Sequence, residues 1–524
     1  MRAQSTEPRG RTGKTPRTFY RHAPLLAAIF LLVFTSSCTS KPDADTLVMI
    51  IESAPQNLDP RVGTDAQSER IGALLFDALL ERDQHFQVQP HLAVSWEIPD
   101  PLTYVFHLRR GVRFHDGRAL TSRDVKWTFD SVRDGTLRTP KASTYRWIER
   151  IETPDDATVV FHLREPYAPL LWNLSGGAIG VVPYGSGPEL KTKPVGSGPF
   201  RFVSLAQDKD VVIERNDDYW GEKPRVKQVR FAVVPDTTTR VLELEKGSAD
   251  VAINALTADM VEALRSEGRL RITEGPGTIY AYIALNLEDP VLKDVRVRRA
   301  LGYAIDRRPI LHYLWRDLAR PAESLLPPEH WAFSAEGAKY DYDPERARRL
   351  LDEAGYPASS NGVRLRLTMK TSTEESTRLL AAVLQQQLRA VGVELEIRSY
   401  EFATFFSDVT RGAFQVISLR WIGGNEDPDI FEHVFHSASF PPKRANRGHY
   451  ASPRVDALID EARRTPDSET RRRLYAEVQR RIAEDVPYIH LWYLDNVLVH
   501  SPRVKGAQVA SSGNYDFLKT VELE

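Results

Sequence analysis

The chain has 524 residues, with 70 Lys and Arg against 71 Asp and Glu and a formal net charge of −1 at pH 7. That balance excludes a general attraction for nucleic acid or anionic lipid, and a single cysteine excludes an internal disulfide framework. The length exceeds what one hydrophobic core serves and predicts two or three domains.

Residues 1–37 hold six Lys and Arg and one acid, Glu7, so this leader carries +5 and the rest of the chain −6. An apolar run at 23–34 follows the basic segment, too short for a membrane-spanning helix of about 20 residues. A basic segment, an apolar core and small residues before a cut site make an export signal. Its end, Thr35-Ser36-Ser37-Cys38, resembles a bacterial lipoprotein signal, in which the cysteine is lipidated and becomes the mature N-terminus. Such signals carry Leu where this chain has Thr35. Residues 38–45 then read as a short polar tether.

Beyond the tether, a strand is predicted at 47–51 and an apolar-spaced helix at 68–80. A strand at 103–108 leads to the turn His115-Asp116-Gly117 and to a helix capped by Thr121, with Asp124 three residues on. His115 is read as packing beside that turn, since no nucleophile or third partner accompanies it. After a strand at 159–163, the Gly196-Ser197-Gly198-Pro199 crossing precedes a strand, helix, strand unit over 229–253, which implies parallel pairing. Helices capped by Asp294, Asp306 and Asp343 follow, then a strand at 363–369, a helix at 374–391 and strands at 393–399 and 414–420. Helices at 454–464 and 468–483 precede a last strand at 488–493. Arg296, Arg298 and Arg299 sit at helical spacing and read as a solvated face. The expected architecture is α/β with two lobes, joined by crossings near 194–200, 273–287 and 486, and a ligand cleft between them.

Several segments together resemble the extracytoplasmic solute-binding proteins of the peptide/nickel family, family 5, which are components of ABC importers. They include His91-Leu92-Ala93-Val94-Ser95-Trp96-Glu97, the stretch Tyr104 onward to Gly117, Gly196-Ser197-Gly198-Pro199-Phe200, and Asn216-Asp217-Asp218-Tyr219-Trp220-Gly221. Further along come Asp294-Val295-Arg296-Val297-Arg298-Arg299-Ala300, Asp427-Pro428-Asp429 and Asn446-Arg447-Gly448-His449-Tyr450. The resemblance runs in order over 46–524. It implies the large, three-domain periplasmic-binding-protein fold. Lobe I is expected at 46–81, 195–275 and 487–524, an insertion subdomain at 82–194 and lobe II at 276–486. It also implies a monomeric, non-enzymatic receptor without cofactor that hands a peptide or similar solute to permease subunits and their ATPases. A non-peptide solute (an oligosaccharide, an opine-like compound or a nickel chelate) is the alternative, and an exported hydrolase a remote one.

The stretch from Arg420 to Phe431 follows a buried-looking strand, where α/β sheets place ligands. In the peptide-binding relatives this turn supplies an aspartate that pairs with the ligand's α-amino group, and ungapped alignment puts that position at Gly424. A buried ammonium without a counter-charge is costly, so a ligand relying on that pair should bind poorly. Trp421, Asn425, Glu426 and Asp427 are the other candidates on the turn; Asp427 also suits an N-cap, with Pro428 as first helical residue. Lys370 stands near the position of the relatives' carboxylate-binding arginine. His433 and His436, one helical turn apart, are weak metal candidates that lack a third ligand.

Overall fold

The computed structural model describes residues 44–176, 179–423 and 426–524. Cys38, Gly424 and Asn425 therefore lie outside the described residues.

One 11-stranded sheet runs through the body. Its order from one edge is Val393–Tyr400, Leu365–Ser372, Val416–Trp421, Arg271–Leu285, Tyr488–His500, Val251–Ile253, Thr46–Ile51, Gln228–Val233, Asp210–Arg215 and Phe200–Ala206. Ala319–Pro321 pairs separately with Tyr488–His500. The predicted strand, helix, strand unit over 229–253 brackets the first strand: Thr46–Ile51 pairs in parallel with both Gln228–Val233 and Val251–Ile253. Val48, Ile50, Met49 and Ile51 are buried on alternating sides, so neither face of this central strand meets water.

Most of the stretch 273–287 lies on a 15-residue strand, Arg271–Leu285, paired antiparallel with Tyr488–His500 over most of its length. Its pairing is interrupted by a bulge between Gly275 and Ile279. A Cβ on Gly277 would collide with the Leu494 carbonyl, so this close approach requires glycine. The two halves of the molecule are thus joined by long paired strands.

Where the signal was local, the elements fall as read. Asp236, Asp294, Asp306 and Asp343 each accept a backbone N–H at the start of their helices. Gly247 ends its helix with φ 76°. Asp124 accepts from both the backbone N–H and the hydroxyl of Thr121, at 2.7 and 2.9 Å. The helix predicted at 68–80 is Ala66–Leu75, and the late strand predicted at 488–493 continues to His500.

A second, four-stranded antiparallel sheet, ordered Ala93–Asp100, Thr103–Leu108, Thr158–Leu163 and Ile148–Asp155, packs on the helix Ser122–Arg133. Tyr104, Phe106, Val159 and Phe161 point inward by strand alternation and form this layer's core with Phe129. His115 ties the layer to the main body. Its backbone N–H donates to Gly196 O at 2.8 Å, and its ring nitrogens meet Gly196 N and Gly198 O. Burial holds its pKa below the usual histidine range.

The basic cluster is a correction. Arg298 is 5% exposed, and its guanidinium donates to the carbonyls of Leu292, Lys293, Asp485 and Val486. Arg299 donates to Glu484 O at 2.8 Å. Only Arg296, paired with Asp294, lies on the outer face expected for all three.

Candidate functional site

The strand Val416–Trp421 ends at Trp421, whose register partner is Tyr280 on the long crossing strand. The turn that follows contributes to two cavities. Trp421 and Ile422 line one of about 310 Å³, walled by Phe402, Phe405 and Phe406 of the helix Phe402–Thr410, by Trp315 and Trp492, and by Arg420 and Arg447. Glu426 lines the other, of about 340 Å³, beside Glu69, Asp77, Glu81, Arg82, His91, Lys141 and Lys519. The first is aromatic with cationic corners. The second carries both signs of charge.

Glu426 is half-buried, and its Oε2 accepts from Arg82 Nη1 at 3.2 Å. Burial pushes its pKa up, and Arg82 and Arg70 oppose that shift. Arg82 is fixed in turn by the Trp172 ring, 4.1 Å from its guanidinium carbon, and by the Gly176 carbonyl. His330 Nε2 donates to the Glu426 carbonyl at 2.9 Å while its Nδ1 accepts from Ala332 N, and burial keeps its ring neutral with a pKa of about 3. Three residues on, Asp429 accepts from Arg463 Nε at 2.6 Å and from the Tyr167 hydroxyl at 3.3 Å. The turn is therefore gripped from one side by residues 82–172 and from the other by residues 330–463.

Asp427 is 5% exposed and its carboxylate accepts from Asp429 N at 2.7 Å. Burial raises its pKa to about 6 against the pull of Arg471. The helix begins at Ile430, not at Pro428, so Asp427 closes the turn ahead of the helix and is not its cap residue as expected.

Lys370 lies on Leu365–Ser372 and donates to Asp408 Oδ2 at 2.7 Å and to Ala413 O, with the Tyr400 ring 5.7 Å from its Nζ. It lines neither cavity. His433 meets Trp421 edge to face at 5.9 Å, and burial, with Arg444 and Arg447, lowers its pKa to about 4. His436 spends Nδ1 on Ala438 N and sits 3.6 Å from Asp460 through Nε2. Among the described residues no group of three or more His, Cys, Asp or Glu could hold a metal ion. The structure thus gathers Trp421, Glu426 and Asp427 at one turn and sets Lys370 apart from both cavities. The sequence reading missed Arg82, Arg447 and the Phe402/Phe405/Phe406 wall. The last was visible as aromatics at i, i+3 and i+4; the two arginines leave no local trace.

Residues 87–440 match the profile of the bacterial extracellular solute-binding proteins, family 5. The chain is 28% identical over 503 residues to the dipeptide-binding protein of Escherichia coli, covering 90% of this chain and 94% of that one. It is 31% identical to di/tripeptide-binding protein 2 of Pseudomonas aeruginosa, covering 91% and 94%. The ABC transporter-associated periplasmic binding protein DppA of Helicobacter pylori, solved in complex with the peptide STSA, superposes with a TM-score of 0.73 at 27% identity, covering 91% of this chain and 98% of that one. The α/β body joined by two long shared strands is the two-lobed periplasmic-binding-protein fold, and the chain belongs to the bacterial extracellular solute-binding proteins of family 5.

Proposed function

We propose that this protein captures a small peptide or peptide-like solute at the 420–429 turn and delivers it to the permease of an ABC importer. The observation that carries the reading is that this one turn lines both an aromatic cavity and a cavity with charges of both signs. A peptide presents carboxylate, amine and apolar side chains together, and such a pair of surfaces complements all three. The names of the relatives, dipeptide- and di/tripeptide-binding proteins, point the same way. The reading includes a lipid anchor at Cys38 that holds a monomeric body at the cell envelope. It also includes lobe I at 46–81, 195–275 and 487–524, the insertion at 82–194 and lobe II at 276–486. Lobe closure then needs only that ligand bind the closed lobes better than the open ones.

Native mass spectrometry of the protein, purified without denaturation from an export-competent host, tests this. Bound masses spaced as amino acid residues support a peptide receptor. A single defined non-peptide mass replaces that reading with another solute class and assigns Gly424 to that change.

A further inference from the structure

The cavity beside Trp421 is built for a narrower guest than a small peptide in general. Of its two arginines, Arg420 is paired with Glu374 at 3.4 Å. Arg447 has no carboxylate partner among the described residues. Its Nη1 donates to the Tyr282 hydroxyl at 3.2 Å, and its guanidinium carbon lies 5.1 Å from the centre of the Phe406 ring and 5.4 Å from that of Trp421. The cavity thus holds two cations to one acid. Three tryptophans, Trp315, Trp421 and Trp492, complete its aromatic wall. At its mouth Phe402 is 56% and Ile422 70% exposed, large apolar groups left in water.

Each of these is unfavourable in an empty site. A half-buried guanidinium lacks a counter-ion, and large apolar surface stays wet. One kind of guest relieves them together: an aromatic or bulky aliphatic group with a carboxylate beside it. Arginine is suited to that role because its planar fork meets a carboxylate bidentately while its face stays on the rings. The volume, about 310 Å³, is at the small end of ligand sites, which run from about 300 to 1,000 Å³, and suits one residue-sized group.

We propose that this cavity is the specificity pocket of the solute receptor inferred above, and that it selects ligands carrying an apolar, preferably aromatic, residue with a free carboxylate, held by Arg447. The assignment rests on the receptor reading for its role but can be tested apart from it.

Isothermal titration of the full-length protein with Gly-Phe, Gly-Phe amide, Gly-Gly and N-acetyltryptophan does so. Gly-Phe is expected to bind at least tenfold tighter than either its amide or Gly-Gly. Arg447→Gln is expected to reduce Gly-Phe to the level of the amide. Phe402→Ala, a change at an exposed position that folding tolerates, is expected to narrow the preference for Gly-Phe over Gly-Gly. Equal affinity for the acid and the amide, or for Gly-Phe and Gly-Gly, overturns the pocket assignment and leaves a peptide receptor standing. Binding of N-acetyltryptophan without any peptide keeps the pocket and removes the peptide reading. No binding of either aromatic acid overturns both.

Discussion

Arg82 and Glu426 stand 344 positions apart in the chain yet meet at 3.2 Å, with side chains only 16% and 13% exposed. The pair ties the hairpin that ends at Pro90 to the turn beyond Trp421, across the edge of the charged cavity. A shielded pair of this kind is worth most as a constraint: losing one partner leaves the other charge buried without compensation. Arg82→Ala and Glu426→Ala should therefore each destabilise the fold. The double variant should cost less than their sum, with a coupling of about 1–3 kcal/mol. Urea denaturation of the four proteins measures it, and a coupling within error of zero removes this contact as a tie between the two sides.

Arg298 makes a comparable demand inside the second half. Its donors reach Asp485 O and Val486 O, at the point where the helix Ser468–Asp485 turns into the strand Tyr488–His500. Val486 has φ 49°, a left-handed conformation that a β-branched residue adopts only when its surroundings enforce it. Arg298→Lys keeps the charge but not the fork, so it should cost about 2–3 kcal/mol through carbonyls left unmet. Thermal melting of Arg298→Lys beside Arg296→Lys checks the contrast. The second change, at an exposed pair, should leave the melting temperature close to the parent's.

The difference between those two arginines shows where sequence reading stops. Helix caps such as Asp236, Asp294 and Asp343 are legible because the donor lies two or three residues away. Helical spacing placed Arg298 with Arg296 and Arg299, but the groups that decide its environment arrive from positions 485 and 486. The same holds for Arg271–Leu285, whose strand character comes from pairing with Tyr488–His500, more than 200 positions away in the chain. At the site, the turn itself could be found from a strand followed by Asp427-Pro428-Asp429. Arg82 and Arg447 come to it from elsewhere in the chain, and no spacing announces them, whereas Phe406 belongs to an aromatic spacing that only the fold assigns to the site.

Cys38 follows the apolar run 23–34 in the leader and lies outside the described residues. If it carries the anchor and nothing else, Cys38→Ser should release the protein from membranes while affinity for any solute stays within twofold. Fractionation of cells expressing the full chain, with titration of the released protein, reads both. A loss of affinity in Cys38→Ser contradicts a purely anchoring role, and continued membrane association contradicts the anchor.

Asp427 gives stability a pH dependence whose sign can be worked out. Burial raises its pKa from an ordinary 3.8 to about 6 in the folded protein. Between those values the native state holds a proton that the unfolded chain has lost, so stability falls as pH rises through this window. Two pKa units correspond to roughly 3 kcal/mol. Arg471 opposes the shift, as Arg82 does, and Asp429 adds to it. Asp427→Asn keeps an oxygen for the Asp429 N–H but does not titrate, so it isolates the contribution. Chemical denaturation from pH 4 to 7 should show the parent losing about 2–3 kcal/mol relative to Asp427→Asn, most of it before pH 6. A difference between the two proteins that is flat in pH would mean the Asp427 carboxyl is ionised throughout, with Arg471 rather than burial setting its charge.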